Sequence, residues 1–235
     1  MEKNEITMNI IAHIESDFKE KFGIPRQSGL VSELEARIVF EPEYRMVDAL
    51  RGLNDFSHLW LIWQFSKNTK TDFSPTVRPP RLGGNQHMGV FATRSPFRPN
   101  GIGLSVVRLL GIEKDDKFGP VIYVGGADLL DGTPILDIKP YLPAVDSHPD
   151  AKEGFAAQNK GYELEVFPDN YLEKLPEKKK RALMGVLSQD PRPAYQRDPD
   201  RIYGMKFAGY EVRFTVDETA LRIVSCEKEP ESKLS

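Results

Sequence analysis

The 235-residue chain carries 32 Lys+Arg against 35 Asp+Glu, a net charge of −3, with 40% hydrophobic and 29% charged residues. This composition supports a buried core and excludes wholesale disorder. It also excludes a histone-like polybasic protein and, with Cys226 as the single cysteine, a disulfide framework or a Cys-rich zinc module.

No apolar run approaches about 18 residues, so no membrane span is expected. Residues 1–5 lack the apolar region of a secretory signal, and a soluble cytoplasmic protein is the expectation. The length fits a larger domain with a smaller addition, and the Gly and Pro content favours a loop-rich β architecture.

In chain order, Ile6, Met8, Ile10, Ala12 and Ile14 alternate with polar residues and predict a strand over 6–15. Residues 17–30 form a polar loop containing Pro25-Arg26-Gln27. Ala36 to Phe40 predicts a short strand, and Tyr44 to Leu53 one or two helical turns. Phe56 to Phe65 is nearly continuously apolar and aromatic, and predicts a buried strand. Residues 66–87 lack periodicity, and a loop that long inside a compact domain is usually functional or disordered.

Strands are predicted over Met88–Thr93, Ile102–Glu113 and Pro120–Gly126, the last two joined by a turn at 115–119. The turn at 131–134 leads into a strand over Ile135–Ile138. Residues 146–160 are polar and coreless, which places a domain boundary there: 1–150, then 151–235. The second part predicts a strand over Tyr162–Phe167, a helix over Glu177–Leu187 following Pro176, and a meander of Ile202–Phe207, Tyr210–Val216 and Ala220–Cys226.

Charge is segregated. From Phe73 through Ile112 there is no Asp, Glu or Lys, but there are Arg78, Arg81, Arg94, Arg98 and Arg108. These 40 residues therefore carry +5, and the other 195 carry −8. Guanidinium is planar, permanently charged and bidentate, which suits phosphate, carboxylate or base-edge recognition. Arg78 and Arg81 flank Pro79-Pro80, and Arg94 and Arg98 flank Ser95-Pro96-Phe97, so both loops are stiffened around their arginines. A solvated basic face paired with acids elsewhere is the plain alternative. Arg108 falls inside a predicted strand and is expected to be structural.

Asp128, Asp131, Asp137 and Lys139 form a second candidate cluster, able to hold a substrate or move a proton. An ordinary Asp-Gly turn with an exposed ion pair accounts for the same residues. His13, His58, His87 and His148 show no ligand spacing, so no metal site is expected, and His58 reads as a core residue. Phosphate-loop and nucleophile-elbow motifs are absent. Gly101-Ile102-Gly103-Leu104 is half a dinucleotide fingerprint leading into a strand, which disfavours a Rossmann site.

Several longer blocks carry a resemblance. They are residues 21–30 (KFGIPRQSGL), 51–53 with 56–60 (RGL, FSHLW), 75–85 (PTVRPPRLGGN), 88–100 (MGVFATRSPFRPN), 131–134 with 137–141 (DGTP, DIKPY) and 189–195 (QDPRPAY). In these the chain resembles the TsaA/TrmO-like family, tRNA N6-methyltransferases that use S-adenosylmethionine on a β-barrel in place of a Rossmann sheet. The resemblance implies a mainly β fold, an N-terminal barrel over 1–150 with a small α+β C-terminal domain over 151–235. It also implies a homodimer and methylation of N6 of N6-threonylcarbamoyladenosine beside the anticodon of threonine tRNAs.

Carried over by motif, the resemblance implies cofactor contacts at Pro25, Arg26, Gln27, Arg94, Leu104, Asp131, Gly132, Thr133 and Pro134. A further cofactor position reads Ser66-Lys67 here, where relatives often show His-Gln. The expected catalytic group is Asp137 as proton acceptor, with Lys139 and Tyr141 binding substrate. Arg78, Arg81, Arg98 and Tyr195 are expected to meet RNA. Two alternatives use the same arginines: a non-catalytic RNA- or nucleotide-binding barrel, and a phosphate-ester hydrolase, which would need a metal site.

Overall fold

The computed structural model describes residues 5–68, 73–79, 86–159, 162–192 and 198–230. The barrel strands are β1 (Ala12–Glu15), β2 (Glu35–Phe40), β3 (His58–Gln64), β6 (Ile102–Asp115), β7 (Gly119–Gly125) and β8 (Pro134–Pro140). Between β3 and β6 lies a small ribbon of β4 (Thr76–Val77) and β5 (Met88–Gly89).

The six barrel strands close in the order β1-β2-β7-β6-β3-β8, every pair antiparallel. Closure leaves no open sheet edge. Strand alternation fills the interior: Leu59, Leu61 and Trp63 of β3 point inward with Val107, Ile122, Val124 and Ile135.

Two irregularities shape the ring. β6 shifts register between Leu109 and Gly111, which lets one long strand bend from β3 to β7. β8 shifts register opposite Ile62 and Trp63, so Trp63 faces Ile135 while Ile62 faces Asp137. Ile135 and Ile138 both reach the core, and Asp137 and Lys139 turn to the outer face. The turn between β6 and β7 is an Asx turn: Asp115 Oδ1 accepts from the amides of Lys117 (2.8 Å) and Phe118 (3.0 Å), with Gly119 at φ +71°.

Helix α1 (Pro143–Asp146) follows the barrel. The second sheet has the order β10-β11-β12-β9, from β9 (Glu165–Phe167), β10 (Tyr203–Phe207), β11 (Tyr210–Asp217) and β12 (Ala220–Lys228). Helix α2 (Glu177–Ser188) covers it with Ala182, Leu183, Val186 and Leu187. Cys226 is buried in β12, and burial raises its thiol pKa, so it is an inert core group.

The elements depart from the sequence reading in several places, among them the strand expected over Tyr162–Phe167, which starts only at Glu165. The first strand begins only at Ala12, and Ile6, Met8 and Ile10 are exposed. The helical turns at 44–53 are three short 3-10 turns, Pro42–Tyr44, Val47–Leu50 and Leu53–Asp55. The strand expected at Met88–Thr93 is two residues of β5 and a 3-10 turn, Val90–Ala92. His58 is no core residue: its parity puts it on the outer face of β3, with Nδ1 beside Ser57 Oγ at 2.9 Å.

A boundary at 150 also does not separate the two cores. Phe18, Val31 and Leu34 precede β2 in sequence but are enclosed with α2 and β10–β12. Phe18 meets Phe207 edge-on at 5.5 Å, Phe22 stacks on Phe214 at 6.5 Å, and Gly185 lets α2 pass close to Val31. Truncating Phe18 to Ala should cost about 3–5 kcal/mol, the usual range for a buried phenylalanine. Thermal melting checks this, and an unchanged melting temperature would refute the enclosure of this side chain.

Candidate active site

A groove of about 830 Å3 opens where one end of the barrel meets the loop over residues 17–34 and the segment after β3. That volume suits a ligand of cofactor size. One wall is aromatic. Trp63 and Phe65 meet edge-on with centroids 4.3 Å apart, and Gly103 sits across from Trp63 in register. A Cβ at Gly103 would fall 2.3 Å from the indole, so only glycine leaves that wall open.

Around this wall the structure gathers residues far apart in sequence. Pro25, Arg26 and Gln27 line the groove, as do Ser66, Lys67, Arg94, Arg98, Leu104 and Thr133. Gln27 Oε1 accepts from Arg94. Arg98 Nη1 donates to the Thr93 carbonyl at 3.0 Å, which ties that guanidinium to its own loop. Lys21 Nζ donates to the Lys67 carbonyl at 3.0 Å, joining the 17–34 loop to the segment after β3.

Asp131, Gly132 and Pro134 are not lining residues; they build the turn that presents Thr133. Asp131 Oδ1 accepts from the Ser16 amide (3.0 Å), its other oxygen pairs with Lys19, and Gly132 adopts φ +72°. The C-terminal part also reaches the loop: Arg26 Nη2 donates to the Asp190 carbonyl at 3.4 Å. Asp190 is itself held by Arg192 in a bidentate pair of 2.8 and 3.0 Å.

Sequence reasoning passed over Trp63 and Ser105, and named Asp128 only as part of a cluster with Asp131, Asp137 and Lys139. Trp63 Nε1 donates to Ser105 Oγ at 3.0 Å, and Ser105 Oγ donates to Asp128 Oδ1 at 2.7 Å. Burial pushes the Asp128 carboxyl pKa up, opposed by the Ser105 hydrogen bond and the charge of Arg94. The available signal was Ser105, a polar residue in phase with inward-facing Gly103 and Val107.

Asp137, Lys139 and Tyr141 are not among the groove-lining residues. Asp137 pairs with Lys139 at 2.8 Å and accepts from the Ile138 amide at 2.9 Å. The Tyr141 ring packs on Trp60 (5.7 Å) and His58 (6.2 Å). The bulge opposite Ile62 and Trp63 explains this placement, since it shifts the side-chain parity of β8. Arg78 lies on the ribbon and donates from Nε to His87 Nε2 at 3.0 Å, and Arg108 is exposed on β6 opposite His58. Arg81 and Tyr195 lie outside the described residues. Among the described residues no group of three or more His, Cys, Asp or Glu could hold a metal ion, and no helix is long and apolar enough to cross a membrane.

A closed six-stranded barrel with a basic groove at one end and an appended α+β part defines the class of protein. A family profile described as the tRNA-methyltransferase O N-terminal domain matches residues 13–147, and one described as the TrmO C-terminal domain matches 163–229. The chain belongs to the TrmO family.

The tRNA (adenine(37)-N6)-methyltransferase of Escherichia coli K12 is 41% identical over 228 residues, covering 92% of this chain and 96% of that protein. A Pseudomonas aeruginosa relative with the provisional name S-adenosylmethionine-dependent methyltransferase RcsF is 42% identical over 212 residues, covering 87% and 90%. A crystal structure of TrmO from P. aeruginosa superposes with a TM-score of 0.78 at 34% identity, covering 97% of this chain and 99% of that one.

The outer face of β3 carries its own pH dependence. Asp146 Oδ2 accepts from the Leu142 amide (2.8 Å) and from Trp60 Nε1 (3.0 Å), which together hold its carboxyl pKa below the ordinary range. A depressed folded pKa stabilises the protein above the unfolded value, and that stabilisation disappears as pH falls through the folded value. Asp146→Asn should therefore lower the melting temperature at neutral pH, with the gap to the parent narrowing as pH falls below the ordinary aspartate range. An equal gap at neutral pH and below that range would refute this role.

Proposed function

We propose that the protein transfers a methyl group from S-adenosylmethionine to N6 of adenosine 37 in tRNA, on a base already carrying the threonylcarbamoyl group. The observation that carries the reading is the groove itself, in which residues from three distant sequence blocks of the family resemblance converge. The names of the E. coli and P. aeruginosa relatives support the reaction and the cofactor.

The groove fits this cofactor chemically. Trp63, Phe65 and Leu104 offer apolar surface to a purine, and Arg26 and Arg94 offer guanidinium groups to a carboxylate. When bound, S-adenosylmethionine supplies an electrophilic methyl group on a sulfonium. The protein's main contribution is placement, which in well-aligned systems supplies on the order of 7–11 kcal/mol. Pro25 to Gln27, Ser66, Lys67 and Arg94 hold the cofactor in this reading, with Thr133 presented by its turn. Arg78 and Arg98 serve the RNA, whose single-stranded anticodon loop allows a base to be splayed out.

We also propose a homodimer acting in the cytoplasm. Ile102 and Leu104 are exposed on β6, an apolar strip that a second copy would cover. Asp137 and Lys139 lie on the outer face of β8, near this strip. The barrel over 1–150 is the cofactor-binding unit in this reading, and the part over 151–235 braces its 17–34 loop.

Tritium-labelled S-adenosylmethionine should label tRNA that carries threonylcarbamoyladenosine and leave tRNA lacking the threonylcarbamoyl group unlabelled. Absence of both cofactor binding and transfer would overturn the reading. Arg78→Ala should reduce the salt slope of tRNA binding by about 0.7–0.9, the value of one phosphate contact, without changing cofactor affinity. A slope equal to the parent's would remove Arg78 from the RNA surface.

A further inference from the structure

We propose that Asp128 is the proton acceptor of the methyl-transfer step, held in place by Ser105 and Trp63. The inference rests on the reading above and adds the residue that performs its proton transfer.

The need for an acceptor is chemical. The target nitrogen is conjugated with both the purine and the carbamoyl group, so its lone pair is poorly available while its proton is in place. The nitrogen forms its bond to the methyl carbon as the sulfur–carbon bond breaks, and that bonding pair returns to sulfur. The N–H electrons stay on nitrogen and the proton passes to the Asp128 carboxylate. The products are a neutral thioether, a methylated nitrogen and a neutral carboxylic acid, which later releases its proton to solvent.

The groove provides one group of the right charge. Its lining holds five cations, Lys21, Arg26, Lys67, Arg94 and Arg98, and Asp128 is the single carboxylate among its described residues. Asp137 is turned away by the β8 bulge and is paired with Lys139.

The hydrogen bonds orient this carboxylate in one direction. An indole N–H only donates, so Ser105 Oγ accepts from Trp63 and spends its own proton on Asp128 Oδ1. The chain thereby holds Asp128 Oδ1 toward Ser105, and the backbone amides of Ser28 and Asp128 add further donors to the carboxylate. Burial makes the carboxylate more basic than an exposed one, while Ser105 and Arg94 favour its ionised form. Those opposed influences suit a general base.

The test uses the full-length protein with Asp128→Asn and Ser105→Ala. Asp128→Asn should bind S-adenosylmethionine within about threefold of the parent by calorimetry, a difference of under 1 kcal/mol. Its single-turnover rate on tRNA carrying threonylcarbamoyladenosine should fall by about 10²–10⁴. The acid limb of the parent's pH–rate profile should vanish.

A second readout needs no turnover. In 13C-aspartate NMR of the cofactor-free protein, the signal missing from Asp128→Asn should titrate above the ordinary aspartate range. Ser105→Ala removes a donor to the charged form, so it should move that titration and the acid limb to higher pH. Parallel losses of affinity and rate in Asp128→Asn would make Asp128 a cofactor contact instead. An unchanged rate, or a retained acid limb, would also overturn the proposal. If Asp128→Asn fails to fold, an unshifted titration in Ser105→Ala overturns it. A parent protein that binds cofactor but transfers no methyl group would show that the reaction itself is misassigned.

Discussion

A buried indole N–H can only donate, and that constraint organises the groove. Trp63 must find an acceptor inside the barrel, and Ser105, two strand positions past Gly103, provides it at 3.0 Å. The hydroxyl has one proton, which then goes to Asp128. Three segments distant in sequence, β3, β6 and the stretch after β7, are thereby locked at one end of the barrel. Gly103 completes the arrangement by leaving room for the ring it faces. A charged group in a low-dielectric wall is costly unless satisfied, and here Ser105, backbone amides and the charge of Arg94 satisfy it.

The loop over 17–34 links that groove to the rest of the molecule. Its apolar side chains sit in the second core, while Pro25, Arg26 and Gln27 face the groove. The C-terminal part thus acts on the groove through the loop it anchors. The Arg26 contact to the Asp190 carbonyl, with Asp190 clamped by Arg192, ties the loop to the end of α2. Lys21 makes a second tie, to Lys67. Pre-ordering a loop in this way lowers the entropic cost of binding whatever it contacts.

Charge follows the same geometry. The acid-free stretch from 73 to 112 supplies Arg94 and Arg98 to the groove, and Lys21, Arg26 and Lys67 join them there from elsewhere in the chain. A net charge of −3 conceals this, because opposite charges cancel in a sum but not in space. Among the described residues of the groove one carboxylate stands among five cations.

Local patterns were enough to read β6, β7, α2 and the C-terminal meander from the sequence, because period and turn chemistry are properties of neighbouring residues. The arginine segregation and the motif blocks were equally legible, and they led to the right family, while Pro25, Arg26, Gln27, Ser66, Lys67, Arg94, Arg98, Leu104 and Thr133 of the expected residues line the groove. The tertiary structure alone decided three things. A bulge in β8 turned Asp137 and Lys139 to the outer face, and a bulge depends on pairing with a partner strand. The second core recruited Phe18, Val31 and Leu34 from across the expected boundary, because burial follows space and not chain order. Asp128 became the groove's carboxylate through Ser105 and Trp63, contacts 23 and 42 residues apart that no local pattern encodes.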